Sequence, residues 1–338
     1  MSSSGAAGVA SILEARRADS DRRLCDLKGK LAAAEKICAK RACVYATGSM
    51  ARGEASAHSD LDLFIVGKGK IGKSKLSHLN EIRIQSELIA ATSALGFPQF
   101  SGDGAYLKHY SVGELVSSLG TRQDDASNTF TARLLLLLES RPLLGVSVYE
   151  SVIQDVIAQY WRDFRGHEHE FMPAFLANDI LRMWRTFCVN YEARTERDPP
   201  LKKAKGKLKK FKLSHSRLLT CYSALLYLLG VYSIAGTVTQ ADALSMVGLT
   251  PTQRLEWILR RSEYRPAHDA ARRALRLYER FLTNTDPAEA ELVQKFQNPS
   301  QAKAFAQQST EFGDSIFEVL ELMRKGHRHK DFYRFLVV

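Results

Sequence analysis

Two aspartates one residue apart, Asp60 and Asp62, are the residues whose types and spacing most plainly do chemistry in this chain. They open the run Asp60-Leu61-Asp62-Leu63-Phe64-Ile65-Val66, whose acid–apolar alternation reads as a strand with both carboxylates on one face and Leu61 and Leu63 toward a core. Paired carboxylates repel unless something positive lies between them, and a hard divalent cation such as Mg²⁺ is the usual answer where a phosphate ligand is also held. Upstream, the apolar run 44–46 stops at Gly48-Ser49, where a glycine frees the backbone to turn and a serine can cap a helix. Such a strand-to-helix turn offers N–H groups and a hydroxyl to the terminal phosphates of a nucleoside triphosphate, with metal bridging the phosphates to the aspartates.

Gly48-Ser49, a spacer and Asp60-x-Asp62 on a strand resemble the hallmark of the DNA polymerase β-like nucleotidyltransferase superfamily. Ala51-Arg52-Gly53-Glu54 and Ser59 are most similar to its bacterial branch, which includes the uridylyl- and adenylyltransferases of nitrogen regulation. The resemblance covers residues 40–145. It implies a nucleotidyltransferase that uses two Mg²⁺ ions, or Mn²⁺, to move a nucleoside monophosphate from ATP or another triphosphate to a hydroxyl. Asp60 and Asp62 are then the catalytic metal ligands, with Gly48, Ser49, Arg52 and Ser59 on the nucleotide. It also implies a third carboxylate, for which Asp103, ahead of His109-Tyr110-Ser111-Val112, is the candidate; its place between Gly102 and Gly104 equally fits a turn aspartate, and Glu114, Asp124 and Asp125 are substitutes.

The elements that must position these groups follow from composition and periodicity. A chain of 338 residues with 45% hydrophobic and 25% charged residues is that of a folded protein, which excludes disorder on a large scale. A formal net charge of +11 favours a polyanionic partner. The five cysteines, Cys25, Cys38, Cys43, Cys188 and Cys221, show neither zinc spacing nor a disulfide pattern, so reduced thiols in a cytoplasmic protein are expected. No signal segment is apparent at the N-terminus, and the apolar stretch 218–235 carries enough polar residues to read as a buried helix, with no role for a membrane.

The fold expected is α+β: an N-terminal helical segment over 1–40, a small polymerase β-like sheet domain with helices over 41–145, closed by Pro142 and Gly145, and an all-helical substrate-binding domain over 146–338. A third strand is expected within 99–110. In the helical half, Asn178, Arg182 and Arg185 share one helix face, either a solvated stripe or a place where Arg182 meets the triphosphate. Lys202, Lys203, Lys205, Lys207, Lys209, Lys210 and Lys212 run without an intervening acid, which suits a solvated loop or a grip on an anionic strand; Lys210 and Lys212 come nearest the next helix and could reach the nucleotide. The acceptor expected is a nucleic acid 3′ end or a growing oligonucleotide, with a protein side chain as the alternative. A catalytically inactive domain that binds nucleic acid is the reading outside enzymology.

Overall fold

A computed structural model describes residues 11–70, 73–100, 107, 109–192, 199–325 and 329–337. The chain begins with α1 (Ile12–Lys30) and α2 (Ala32–Cys38), then β1 (Ala42–Thr47), the short helix α3 (Gly48–Arg52) and β2 (Asp62–Gly67). A two-stranded ribbon of β3 (Gly69–Lys70) and β4 (Lys73–Ser74) leads to α4 (His78–Ala94), β5 (His109–Ser111), α5 (Val112–Ser117), α6 (Gln123–Ala126), α7 (Thr129–Leu138) and β6 (Arg141–Leu144). The rest is helical: α8 (Val146–Tyr160), α9 (Ala174–Glu192), α10 (Pro200–Lys212), a π-helical turn Leu213–Arg217, α11 (Leu218–Ala235), α12 (Gln240–Val247) and α13 (Pro251–Leu259). After a 3₁₀ turn come α14 (His268–Asn284), α15 (Glu289–Gln297), α16 (Pro299–Arg324) and α17 (Asp331–Val337).

Local sequence accounts for many of these boundaries. Ser11 with Glu14, Ser111 with Glu114, Thr239 with Asp242 and Thr250 with Gln253 form capping boxes that satisfy the first N–H groups of α1, α5, α12 and α13. The four-stranded sheet has the order β5-β2-β1-β6, with β1 antiparallel to β2 and β6, and β5 parallel to β2. Every residue of β1 is buried, as a central strand covered on both faces should be.

Alternation along β1 and β2 divides the core. Val44, Ala46, Leu63 and Ile65 pack under α1, α2 and α4 with Leu31, Ile84 and Leu88. Cys43, Tyr45, Phe64 and Val66 face the other way, into a cluster that continues through Leu134, Val152 and Ile180 to Phe281 and Phe312. The sheet and the C-terminal helices therefore share one apolar interior. Gly145, between β6 and α8, passes close to the β1 backbone: its φ is +63°, and a Cβ there would lie 2.2 Å from the Ala42 carbonyl oxygen.

Three expectations change. The third strand, β5, occupies only the last part of 99–110 and runs on to Ser111. The closing segment 141–144 is itself an edge strand, where Pro142 is tolerated because it need pair on one side only. The lysine run is a helix: Pro200 starts it, and Ala204, Leu208 and Phe211 form a buried stripe that anchors it. Among the described residues, the run Pro200–Ala235 is long and apolar enough to cross a membrane, but 72% of its most apolar window is buried within the protein.

Candidate active site

In the antiparallel register Thr47 lies opposite Asp62, so the turn leaving β1 stands beside the start of β2. Gly48 takes φ +69°, and a Cβ on it would come 2.9 Å from Asp62 Oδ2, so only glycine lets the turn pass so close to this carboxylate. Asp60 and Leu61 precede the ladder, and only Asp62 belongs to the strand. Asp60 is exposed and Asp62 is partly buried. The loop between turn and strand is held from α1: Arg16 donates to the Ala55 carbonyl at 2.8 Å and Arg23 to that of Ser56 at 2.9 Å. Ser59 Oγ accepts the Ser56 N–H at 2.9 Å, which closes the turn just before Asp60. Gly48, Ser49, Ser59, Asp60 and Asp62 all line one cleft of about 620 Å³.

Burial, followed by repulsion from Asp60, pushes the Asp62 carboxyl up to about 6, and the nearby Arg217 charge offsets this only in part. Neither aspartate has an ion-pair partner within 4.0 Å among the described residues. Two adjacent carboxylates, one of them raised against ionisation and neither paired with a basic group, are a donor set that fits a hard divalent cation. The third ligand is not found: Asp103 lies outside the described residues, and among the described residues no group of three His, Cys, Asp or Glu could hold a metal. The substitutes are committed elsewhere. Glu114 caps α5, Asp124 is buried against Arg133 at 2.9 and 2.5 Å, and Asp125 binds Arg182.

The helical region lines the same cleft with Phe187, Lys209, Lys212, Ser216, Arg217, Leu282 and Leu292. The π turn at Leu213–Arg217 is anchored by His215, which is fully buried between the rings of Phe281 and Phe312, with Nδ1 at 2.9 Å from the Phe211 carbonyl oxygen. Burial holds this imidazole at about 4, hence neutral. Lys212 is thus brought to the cleft as expected, whereas Lys210 does not line it and its neighbour Lys209 does.

Arg52 also reaches the cleft, but it is 6% exposed and its guanidinium is bound to Glu54 at 2.7 Å and Glu139 at 2.9 Å. A buried arginine must be paired, and here two carboxylates do it, so Arg52 joins elements rather than standing open to phosphate. Glu139 further accepts from Arg217 and from Thr220 at 2.8 Å, and Tyr278 donates to Glu54 at 2.8 Å. Burial alone would raise the Glu139 carboxyl; Arg217 and Arg52 outweigh it and hold it at about 2. This network ties α3 to α7, α11 and α14 directly behind the cleft. Arg182 is not part of it. That side chain binds Asp125 at 2.6 and 2.5 Å, covers the Phe130 ring and lines a separate hollow with Asn178 and Arg185.

Lys209, Arg217 and Glu139 are the site residues that sequence reasoning missed. A signal existed for the first, since Lys205, Lys209 and Lys212 fall on one helical face. For Arg217 and Glu139 none did, because their meeting is a long-range contact.

Residues 26–95 match a family model, that of the nucleotidyltransferase domain. Comparison with curated proteins and with solved structures gave no match. The matched span contains α2, β1, α3, β2 and α4, and with them the Gly48-Ser49 turn and both aspartates. Members of this family usually use divalent metals. Over residues 26–95 the chain therefore carries a nucleotidyltransferase domain, matching the polymerase β-like superfamily.

Proposed function

We propose that the chain moves a nucleoside monophosphate from a nucleoside triphosphate to a hydroxyl at a nucleic acid 3′ end or on a growing oligonucleotide. The observation that carries this reading is the composition of a single cleft, lined both by the carboxylates Asp60 and Asp62, neither in an ion pair among the described residues, and by Lys209, Lys212 and Arg217. Asp60 and Asp62 hold the divalent ion, Mg²⁺ or Mn²⁺, with Asp103 as the proposed third carboxylate; β5 runs parallel to β2 and begins on the same side as Asp62. When bound, that ion offsets the negative charge that builds on the phosphoryl oxygens. Ser49 gives its hydroxyl to the terminal phosphates, in the space that Gly48 leaves open. Lys209, Lys212 and Arg217 neutralise the same phosphates and steady the pyrophosphate as it leaves.

The acceptor reading rests on charge. A net +11 and a cleft wall continuous with a lysine-rich helix suit a polyanion better than a neutral small molecule. The setting proposed is cytoplasmic, where the five cysteines, none of them in a disulfide, would stay reduced.

The test is to incubate the purified protein with Mg²⁺ or Mn²⁺ and each α-labelled ribo- and deoxynucleoside triphosphate, with and without total RNA, and to resolve products on a denaturing gel. Label on RNA or in a ladder is the expected result. Label confined to a protein band overturns the acceptor assignment, and intact triphosphates under every condition overturn the transfer itself.

A further inference from the structure

The lysine helix extends well beyond the cleft. Along α10, Lys202, Lys205, Lys209 and Lys212 recur at intervals of three, four and three residues and so share one face. All four are exposed, while Ala204, Leu208 and Phe211 occupy the buried face. The row spans about 15 Å of helix, from the ten residues between its first and last members at 1.5 Å each. Its inner end, Lys209 and Lys212, lies in the cleft beside Arg217, and its outer end does not. The helix itself carries no acid, and Lys205 meets Glu289 at 4.0 Å in an exposed contact of little energetic worth.

We propose that this face is the track on which a single-stranded acceptor lies, its phosphates on Lys202 and Lys205 and its 3′ end delivered past Lys209 and Lys212 to the carboxylates. The inference rests on the proposed transfer reaction and names where the acceptor is held. Charge complementarity selects the occupant: a row of cations on an acid-free helix, running into a phosphate-handling cleft, fits a polyanion whose own charges repeat along a line. The exposed face of α10 carries no aromatic side chain, Phe211 being 3% exposed, so along this helix the grip is on the backbone rather than on stacked bases. Binding along it is therefore indifferent to sequence and steeply dependent on salt.

The experiment uses the full chain and a fluorescein-labelled mixed-sequence single-stranded RNA, with anisotropy read across a salt series. Removing one phosphate contact lowers the slope of log K against log salt by about 0.7 for a single strand. The double variant Lys202→Gln/Lys205→Gln is expected to bind RNA more weakly, with a slope shallower by about 1.4, and to keep the parent's KM for the triphosphate. Lys202→Arg/Lys205→Arg is expected to restore affinity and slope. An unchanged slope in the glutamine variant overturns the track, as does a parent protein that prefers duplex to single strand or one RNA sequence to another. Failure of the transfer reaction is visible separately: strong, lysine-dependent RNA binding with no label transferred would leave the track standing and remove the reaction.

Discussion

Asp62 holds its charge against its surroundings. Burial and the Asp60 carboxylate raise it from the ordinary aspartate range to about 6, so in the folded protein without metal its ionised form, which predominates above that pH, is held at a cost. The sign follows from linkage: a carboxyl whose folded value lies above its unfolded one contributes fully at low pH and loses that contribution as pH rises through about 6. Asp62→Asn should therefore raise the melting temperature of the metal-free protein by roughly 2–4 °C at about pH 7.5 and do much less at about pH 4.5. Thermal melts at the two pH values check this, and an equal shift at both would contradict it. Glu139 is the counter-case among the buried carboxyls, held at about 2 by two arginines. Residues of the first kind were legible in the sequence because function and pattern coincide within a few positions: Gly48-Ser49 and Asp60-x-Asp62 are contiguous signals. Residues of the second kind were not, since Glu139 reads as the polar end of an apolar helix until Arg52 and Arg217 meet it in space.

Among the elements, β1 followed from an apolar run and β2 from acid–apolar alternation, whereas β6 had no such signal. A short run containing proline resembles a boundary, and its pairing with β1 across the sequence has no local trace. The lysine helix was obscured for another reason: charge on most positions hid the narrow stripe of Ala204, Leu208 and Phe211 that fixes it. Arg217, at the end of the π turn, lines the cleft, and its charge acts on Asp62; Arg182, on α9, is paired with Asp125 beside a different hollow. Arg217→Ala is expected to raise the KM for the triphosphate about tenfold, equivalent to about 1.4 kcal/mol. Arg182→Ala is expected to leave it within about twofold. Steady-state kinetics on the two variants decide the matter, and equal effects would contradict the assignment of the cationic wall.

At the scale of the molecule, the sheet does not carry the site alone. Tyr45 and Phe64 belong to the same apolar interior as Phe281 and Phe312, and Arg52, Glu54, Glu139 and Tyr278 lock the helix that follows the Gly48-Ser49 turn to α7 and α14. The sheet and helical residues that line the cleft are thus fixed to each other by a common core and a buried ionic network, which holds cations and carboxylates in one cleft before substrate arrives. That arrangement, and the transfer it is held to perform, is tested most directly by pyrophosphate release. The protein, an RNA acceptor and the preferred triphosphate with Mg²⁺ should yield one pyrophosphate for each nucleotide joined, and Asp60→Asn and Asp62→Asn should each reduce the rate by about 10³-fold or more while remaining folded. Pyrophosphate released at the parent rate by either variant would contradict the account.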